Sequence, residues 1–295
     1  MKIKLPLLLV VSICLMSCSM NKAFLQPQKI PVTTKKVKIK SEKDTLVFNF
    51  GDNFQPTITN LKNTAIDLDF TIESVVFKSS NGNKLNGWFL KPKKVTPLIT
   101  LIHFHGNAGA LLSQYQAIAP IIKHGFQVFI FDYSGFGFSE GKATRDNVLT
   151  DGLSAVDFVL TRQEVKNTKI ALYGQSLGGH LAAVVAEKRQ NNIDALIIEA
   201  AFTSYKAIGN KKVPLLGSLL TNQKYSALES IKKYTKPVLV IHSTEDKIVP
   251  FVMGKNLFES ANNPKEFFEI KGKHIYGILD YSEEIANKIK KLLVK

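Results

Sequence analysis

Cysteine is almost missing from this chain: 295 residues hold two, Cys14 and Cys18, both near the start. That excludes a disulfide framework as the source of stability. Acidic side chains are scarce too, with 24 Asp and Glu against 39 Lys and Arg, a formal net charge of +15. No nucleic-acid-binding motif accompanies that charge, so a nucleic-acid partner is not expected, and a lipid headgroup surface or plain solubility accounts for it better. Long apolar runs are lacking as well: Leu5 to Met16 is broken by Pro6 and Ser12, short of the roughly 20 residues a bilayer-spanning helix needs. No repeat is visible, and at this length one large domain is favoured over two.

What is present begins with an address. Lys2 and Lys4 precede the apolar run, which ends in Leu15-Met16-Ser17-Cys18. Residues 1–17 read as a signal segment, and the ending resembles the bacterial lipobox. The resemblance implies cleavage before Cys18, loss of Cys14, and acylation of Cys18 with fatty chains such as palmitate. Two or more chains hold a protein stably on a membrane. Ser19, rather than Asp, after Cys18 resembles an outer-membrane sorting signal. The expectation is a membrane-anchored lipoprotein of the bacterial cell envelope, facing the periplasm; an uncleaved anchor or an ordinary secretory signal is the alternative. Residues 18–67 read as a tether and N-terminal extension, with seven lysines between Lys22 and Asp44 against Glu42 and Asp44. Each such lysine near anionic lipid is worth about 1 kcal/mol.

From residue 68 to 295 the punctuation is that of an α/β domain. Ser74 to Phe77 and Lys84 to Leu90 flank Asn81-Gly82, a hairpin signal. Apolar runs at 98–104 and 127–131 bracket a helical stretch, Leu111 to Lys123. A helix is predicted over 145–160, a strand over 169–173, a helix from Leu177 to Arg189, and strands over 195–199, 238–242 and 266–270. Helices over 252–260 and 283–293 complete the alternation. Continuous apolar strands separated by helices predict a mostly parallel, doubly wound sheet of about eight strands. Residues 202–234 interrupt the rhythm with Pro214, Gly217 and an apolar cluster, Leu215, Leu216, Leu219 and Leu220. They read as a short cap.

Gly174-Gln175-Ser176-Leu177-Gly178, followed by Gly179, stands between a strand and a helix. That context makes it a nucleophile elbow, although a glycine-rich turn without chemistry carries the same letters. A serine hydroxyl needs a base within reach and an acid behind the base, so the partners decide. Of six histidines, His124 and His180 lie on helices, His242 ends an apolar strand, and His103 and His105 precede Gly106. His274, in a loop between the last strand and the last helix, is the best base by position. Asp246 follows the strand ending at His242, on the sheet edge where active groups collect; Glu245 and Glu199 are the rival acids. The order Ser176, Asp246, His274 is that of α/β-hydrolases. The loop His103 to Gly109 offers backbone donors for an oxyanion, with the N–H groups of Asn107 and Leu177 as the pair. His103 and His105 lack a clear third ligand, so no metal is expected, and no cofactor.

His105-Gly106-Asn107-Ala108-Gly109, Asp132 to Gly141 (D-Y-S-G-F-G-F-S-E-G), Gly174 to Gly179, Asp246-Lys247-Ile248-Val249-Pro250 and His274 together resemble the α/β-hydrolase superfamily, in particular its ABHD-type serine hydrolases. The resemblance covers about Phe70 to Leu293. It implies Ser176, Asp246 and His274 as the triad and a loop at 132–141 beside the site. Ser243 stands where glycine is usual after the strand-end histidine, and Ser134 where arginine is frequent. The expected activity is cleavage of carboxylic esters or thioesters, on small or lipid-like acyl substrates, through an acyl-enzyme on Ser176. A peptidase or amidase on the same triad, and a non-catalytic binding lipoprotein with this fold, are the alternatives.

Overall fold

Four stretches of the chain are buried at every position, and strands of that kind persist only where both faces of a sheet are covered. The computed structural model describes residues 24–40 and 45–293; the expected signal segment and Cys18 lie outside them. In chain order the strands are β1 (Lys36–Lys40), β2 (Thr45–Phe50), β3 (Pro56–Thr59), β4 (Phe70–Lys78), β5 (Lys84–Pro92) and β6 (Ile99–Phe104). They continue as β7 (Phe126–Phe131), β8 (Lys169–Gln175), β9 (Ala195–Glu199), β10 (Val238–Ser243) and β11 (Lys265–Ile270). The helices are α1 (Arg145–Leu160), α2 (Leu177–Arg189), α3 (Tyr205–Lys212), α4 (Ala227–Ile231), α5 (Phe251–Ser260) and α6 (Gly277–Leu293).

The main sheet has eight strands in the order β11-β10-β9-β8-β6-β7-β5-β4. All neighbours from β11 to β7 are parallel. Strands β5 and β4 close the other edge antiparallel, joined through the turn at Asn81-Gly82. This is the α/β-hydrolase fold. Its strand order reverses at β6, with β7 on one side and β8 on the other, so a crevice opens beyond the carboxyl ends of β6 and β8. The loop after β6 and the turn after β8 are therefore neighbours.

Helices α1, α2, α4 and α5 bury Val148, Val156, Leu181, Val185, Ile231 and Leu257 on one face of the sheet. On the other face α6 contributes Ile285 and Ile289, beside Ile121 and Ile122. Each such apolar side chain contributes about 1.5–3 kcal/mol on burial. The helix expected over 111–123 is instead a chain of turns, Leu111–Gln114, Tyr115–Ala117 and Ala119–His124, the last two 3-10. Pro120 has no N–H for an α ladder, and the N–H groups of Ile118 and Ile121 bond three residues back. Helix α6 begins six residues earlier than expected and kinks at Tyr281.

The extension before the sheet is built into the molecule from Phe24 onward. Strands β1–β3 form an antiparallel sheet whose Phe48 stacks on the buried Trp88. Ahead of it, residues 24–30 cross the carboxyl edge of the main sheet as a strap. The N–H of Gln26 donates to Asn107 O, that of Gln28 to Gly109 O and that of Ile30 to Gly137 O, each at 2.8 Å.

Between β9 and β10 the cap rises on an aromatic root. Tyr205 and Tyr225 share a hydroxyl hydrogen bond of 3.0 Å, and the Arg145 guanidinium lies 4.7 Å from the Tyr205 ring centre. Its tip is different: Leu215, Leu216 and Leu219 are 87%, 55% and 76% exposed. Leaving each in water forgoes the roughly 1.5–3 kcal/mol that burial supplies.

Candidate active site

Strand β8 must turn into α2 within one residue, and that residue is Ser176, held at φ 55°, ψ −116°. A non-glycine side chain rarely adopts this backbone, which costs about 1–3 kcal/mol and persists only where the surroundings enforce it. Here they do. A Cβ on Gly178 would lie 1.9 Å from Phe104 O, and one on Gly174 would lie 2.4 Å from Gly178 O. The N–H of Ser176 donates to Glu199 O at 2.9 Å, which ties the turn to β9.

Ser176 shares a cavity of about 60 Å³ with Asn107, Leu177, Phe24, Phe202, Ile208, Lys212, Ile248 and Val249. Leu177 is the first residue of α2, and a first-turn N–H has no acceptor within its own helix. Asn107 turns its carbonyl outward to the strap. Both lie beside Ser176, where the positive end of α2 favours a developing negative charge.

Asp246 and His274 meet directly: His274 Nδ1 donates to Asp246 Oδ2 at 2.7 Å, which leaves Nε2 free to handle a proton. The other oxygen, Oδ1, accepts from the N–H groups of Ile248 at 2.8 Å and Val249 at 3.0 Å. The Asp246 side chain is wholly shielded from solvent. Burial works to raise its pKa, but the bonds with His242, His274 and Val249 outweigh burial and hold the carboxyl well below the usual range. It is therefore a carboxylate at neutral pH. Because Ile248 and Val249 also wall the serine cavity, the acid is bonded to the lining of that cavity.

The two rival acids bond the backbone on either side of His274, and Glu199 bonds two side chains as well. Glu245 Oε2 accepts from the N–H of Gly272 at 2.9 Å. Glu199, 1% exposed, accepts from the N–H of Gly277 at 2.7 Å, from Tyr173 OH at 2.5 Å and from Gln175 Nε2 at 2.8 Å. Gln175 in turn donates to Ile275 O at 3.3 Å. The histidine loop is thus pinned on both sides of His274 and fastened to the residue before Ser176. Ser243 adds a bond of 2.6 Å to Gly272 O. Sequence reasoning passed over these supports, although a carboxylate ending an apolar strand must find donors.

Each remaining histidine is buried or bonded elsewhere. Burial pushes His103, with help from His105, down to about 3, and pushes His105 and His180 to about 4, so all three are neutral. His180 stacks on Phe202 and props the cap root; His124 bonds Ser282. His242 Nε2 is 3.0 Å from Val249 O and 3.5 Å from Asp246 Oδ2, so it supports the acid's loop. Among the described residues no group of three or more metal-ligating side chains occurs. In the loop 132–141, Ser134 accepts from Asn83 Nδ2 at 2.9 Å, and its N–H donates to Asp151 at 2.7 Å.

The α/β hydrolase fold family model matches residues 99–215. Protein YfhR of Escherichia coli O157:H7 is 34% identical over 232 residues, covering 75% of this chain and 81% of that one. Est1E of Butyrivibrio proteoclasticus, solved with ferulic acid bound, superposes with a TM-score of 0.64 at 23% identity, over 75% of this chain and all of its own. The Pyrococcus furiosus esterase Pf2001 does so with a TM-score of 0.62 at 21% identity, over 76% and 92%. With the fold and sequence in agreement, this chain belongs to the α/β-hydrolase superfamily.

Proposed function

We propose that this chain is a serine hydrolase that cleaves carboxylic esters or thioesters, held at a membrane of the cell envelope through acylated Cys18. The observation that carries the proposal is the 2.7 Å bond from His274 to the buried Asp246, next to a cavity that Ser176 shares with Asn107 and Leu177. In the proposed cycle Ser176 Oγ attacks the acyl carbon while His274 Nε2 takes its proton. The N–H groups of Asn107 and Leu177 stabilise the oxyanion, worth about 3–4 kcal/mol per donor in enzymes where this has been measured. Collapse expels the alcohol or thiol, which takes the proton from His274. Water, deprotonated by the same imidazole, then releases the acid and restores Ser176. Asp246 stays ionised throughout and stabilises the imidazolium.

The cavity walls are mostly apolar, and such walls suit a hydrocarbon acyl group. The test is a panel of p-nitrophenyl esters run beside aminoacyl p-nitroanilides. Hydrolysis of the esters, lost in Ser176→Ala, is expected. Faster cleavage of the anilides would replace the reading with a peptidase, and equal rates for Ser176→Ala would end it.

A further inference from the structure

We propose that the tip of the cap is a docking surface for an anionic lipid bilayer, which seats the mouth of the Ser176 cavity on the membrane. What the docked mouth would receive rests on the hydrolase proposal; the docking itself does not. Three leucines within five residues, Leu215, Leu216 and Leu219, stand 87%, 55% and 76% exposed. Ile248 and Val252, each 58% exposed, add to them on the acid loop and α5. Cap and acid loop are joined, since Lys211 Nζ donates to Lys247 O at 3.0 Å. Cap residue Ile208 and loop residue Ile248 wall the same cavity.

Charge selects the partner. Residues 200–228 contain Lys206, Lys211, Lys212 and Lys224 and not one Asp or Glu; of these, Lys224 is paired with Asp146. Lysine is depleted from protein–protein interfaces, whereas leucine beside lysine is the make-up of surfaces that lie in an anionic lipid interface. The chain's own path agrees. Phe24, where the described residues begin, packs 5.1 Å from Tyr205 and beneath Lys212 of the cap. Cys18 lies six residues upstream, a span of at most about 20 Å, so acylation there would hold the cap close to the headgroups. No described helix is long and apolar enough to cross a membrane, so contact would be made from the surface.

The experiment adds a tryptophan at the tip, Leu219→Trp, to the purified full chain and mixes it with vesicles of equal phosphatidylglycerol and phosphatidylethanolamine carrying brominated acyl chains. The native Trp88 is fully buried and serves as the internal control. We expect the added fluorescence to fall by about half while the unsubstituted chain loses under a tenth. The quenching should weaken at least threefold in phosphatidylcholine vesicles, and again when Leu215→Ser and Leu216→Ser are added. Hydrolysis of soluble p-nitrophenyl acetate should stay within twofold in every variant. An unquenched Leu219→Trp chain would overturn the proposal. So would a dimer that Leu219→Ser dissolves without any vesicle contact, since the face would then belong to a second copy. Fluorescence is read without turnover, so an inactive Ser176 leaves the docking result standing.

Discussion

The loop that carries His274 and the cap that walls the Ser176 cavity are built on opposite terms. Around His274 three carboxylates act at three points: Glu245 holds Gly272, Glu199 holds Gly277, and Asp246 holds the ring itself. These are charge-assisted bonds, the strong class of hydrogen bond. The cap is firm only at its aromatic root, where Tyr205, Tyr225 and Arg145 interlock, and its tip presents leucine to solvent. The difference separates two tasks. On the proposed reading, atoms that must meet within tenths of an ångström are over-determined, whereas the surface proposed to meet a bilayer is left open. The strap ties the cap to the Ser176 cavity, since Phe24 packs on the cap and lines that cavity.

The comparison can be broken most sharply at the acid. We predict that Asp246→Asn lowers kcat by about 10³–10⁴-fold, with Glu245→Gln far milder; equal losses would show that the two acids had been wrongly told apart. Next comes the tie between elbow and loop. Glu199 touches no reacting atom, so Glu199→Gln should cut kcat by about 10–100-fold through misplacement. KM should stay within threefold, and Glu199→Asp should recover part of the loss. A drop in melting temperature with unchanged kcat would reduce Glu199 to packing.

Asp132 sharpens the contrast on the buried side. Burial lifts its carboxyl to about 7, against the bonds from the Leu111 N–H and the charge of Lys29. Its unfolded value is about 3.9, so between those pH values the folded chain holds an extra proton, and stability falls as pH rises. Relative to Asp132→Asn, the native chain should lose about 2–3 kcal/mol between pH 5 and pH 8 in urea titrations; parallel curves would contradict this. The smallest effect lies at the border: Phe24→Ala should move the ester preference toward longer acyl chains by about three- to tenfold. An unchanged chain-length profile would remove Phe24 from the acyl wall.

Strands and most helices of the main domain were legible because long apolar strands alternate with the helices, as on either side of 177–189, a helix buried along Leu177 to Ala186. The stretch 111–123 was not, because Pro120 divides a helical pattern into turns bonded three residues back. Chain order and loop position brought Ser176, Asp246 and His274 forward as candidates. Nothing local in the sequence distinguishes Asp246 from Glu245 beside it; which carboxyl reaches the imidazole is decided by how the loop turns after β10. The strap was illegible for a similar reason. Residues 24–30 carry no strand pattern of their own and become ordered only against the loops at 107–109 and 137.

The central claim is that Ser176 is the nucleophile, and labelling with a fluorophosphonate followed by peptide mapping tests it most directly. A single phosphonyl adduct on the peptide containing Ser176, absent from Ser176→Ala and slowed by His274→Ala, is the predicted result. An unlabelled chain, or an adduct on any other residue, would contradict it.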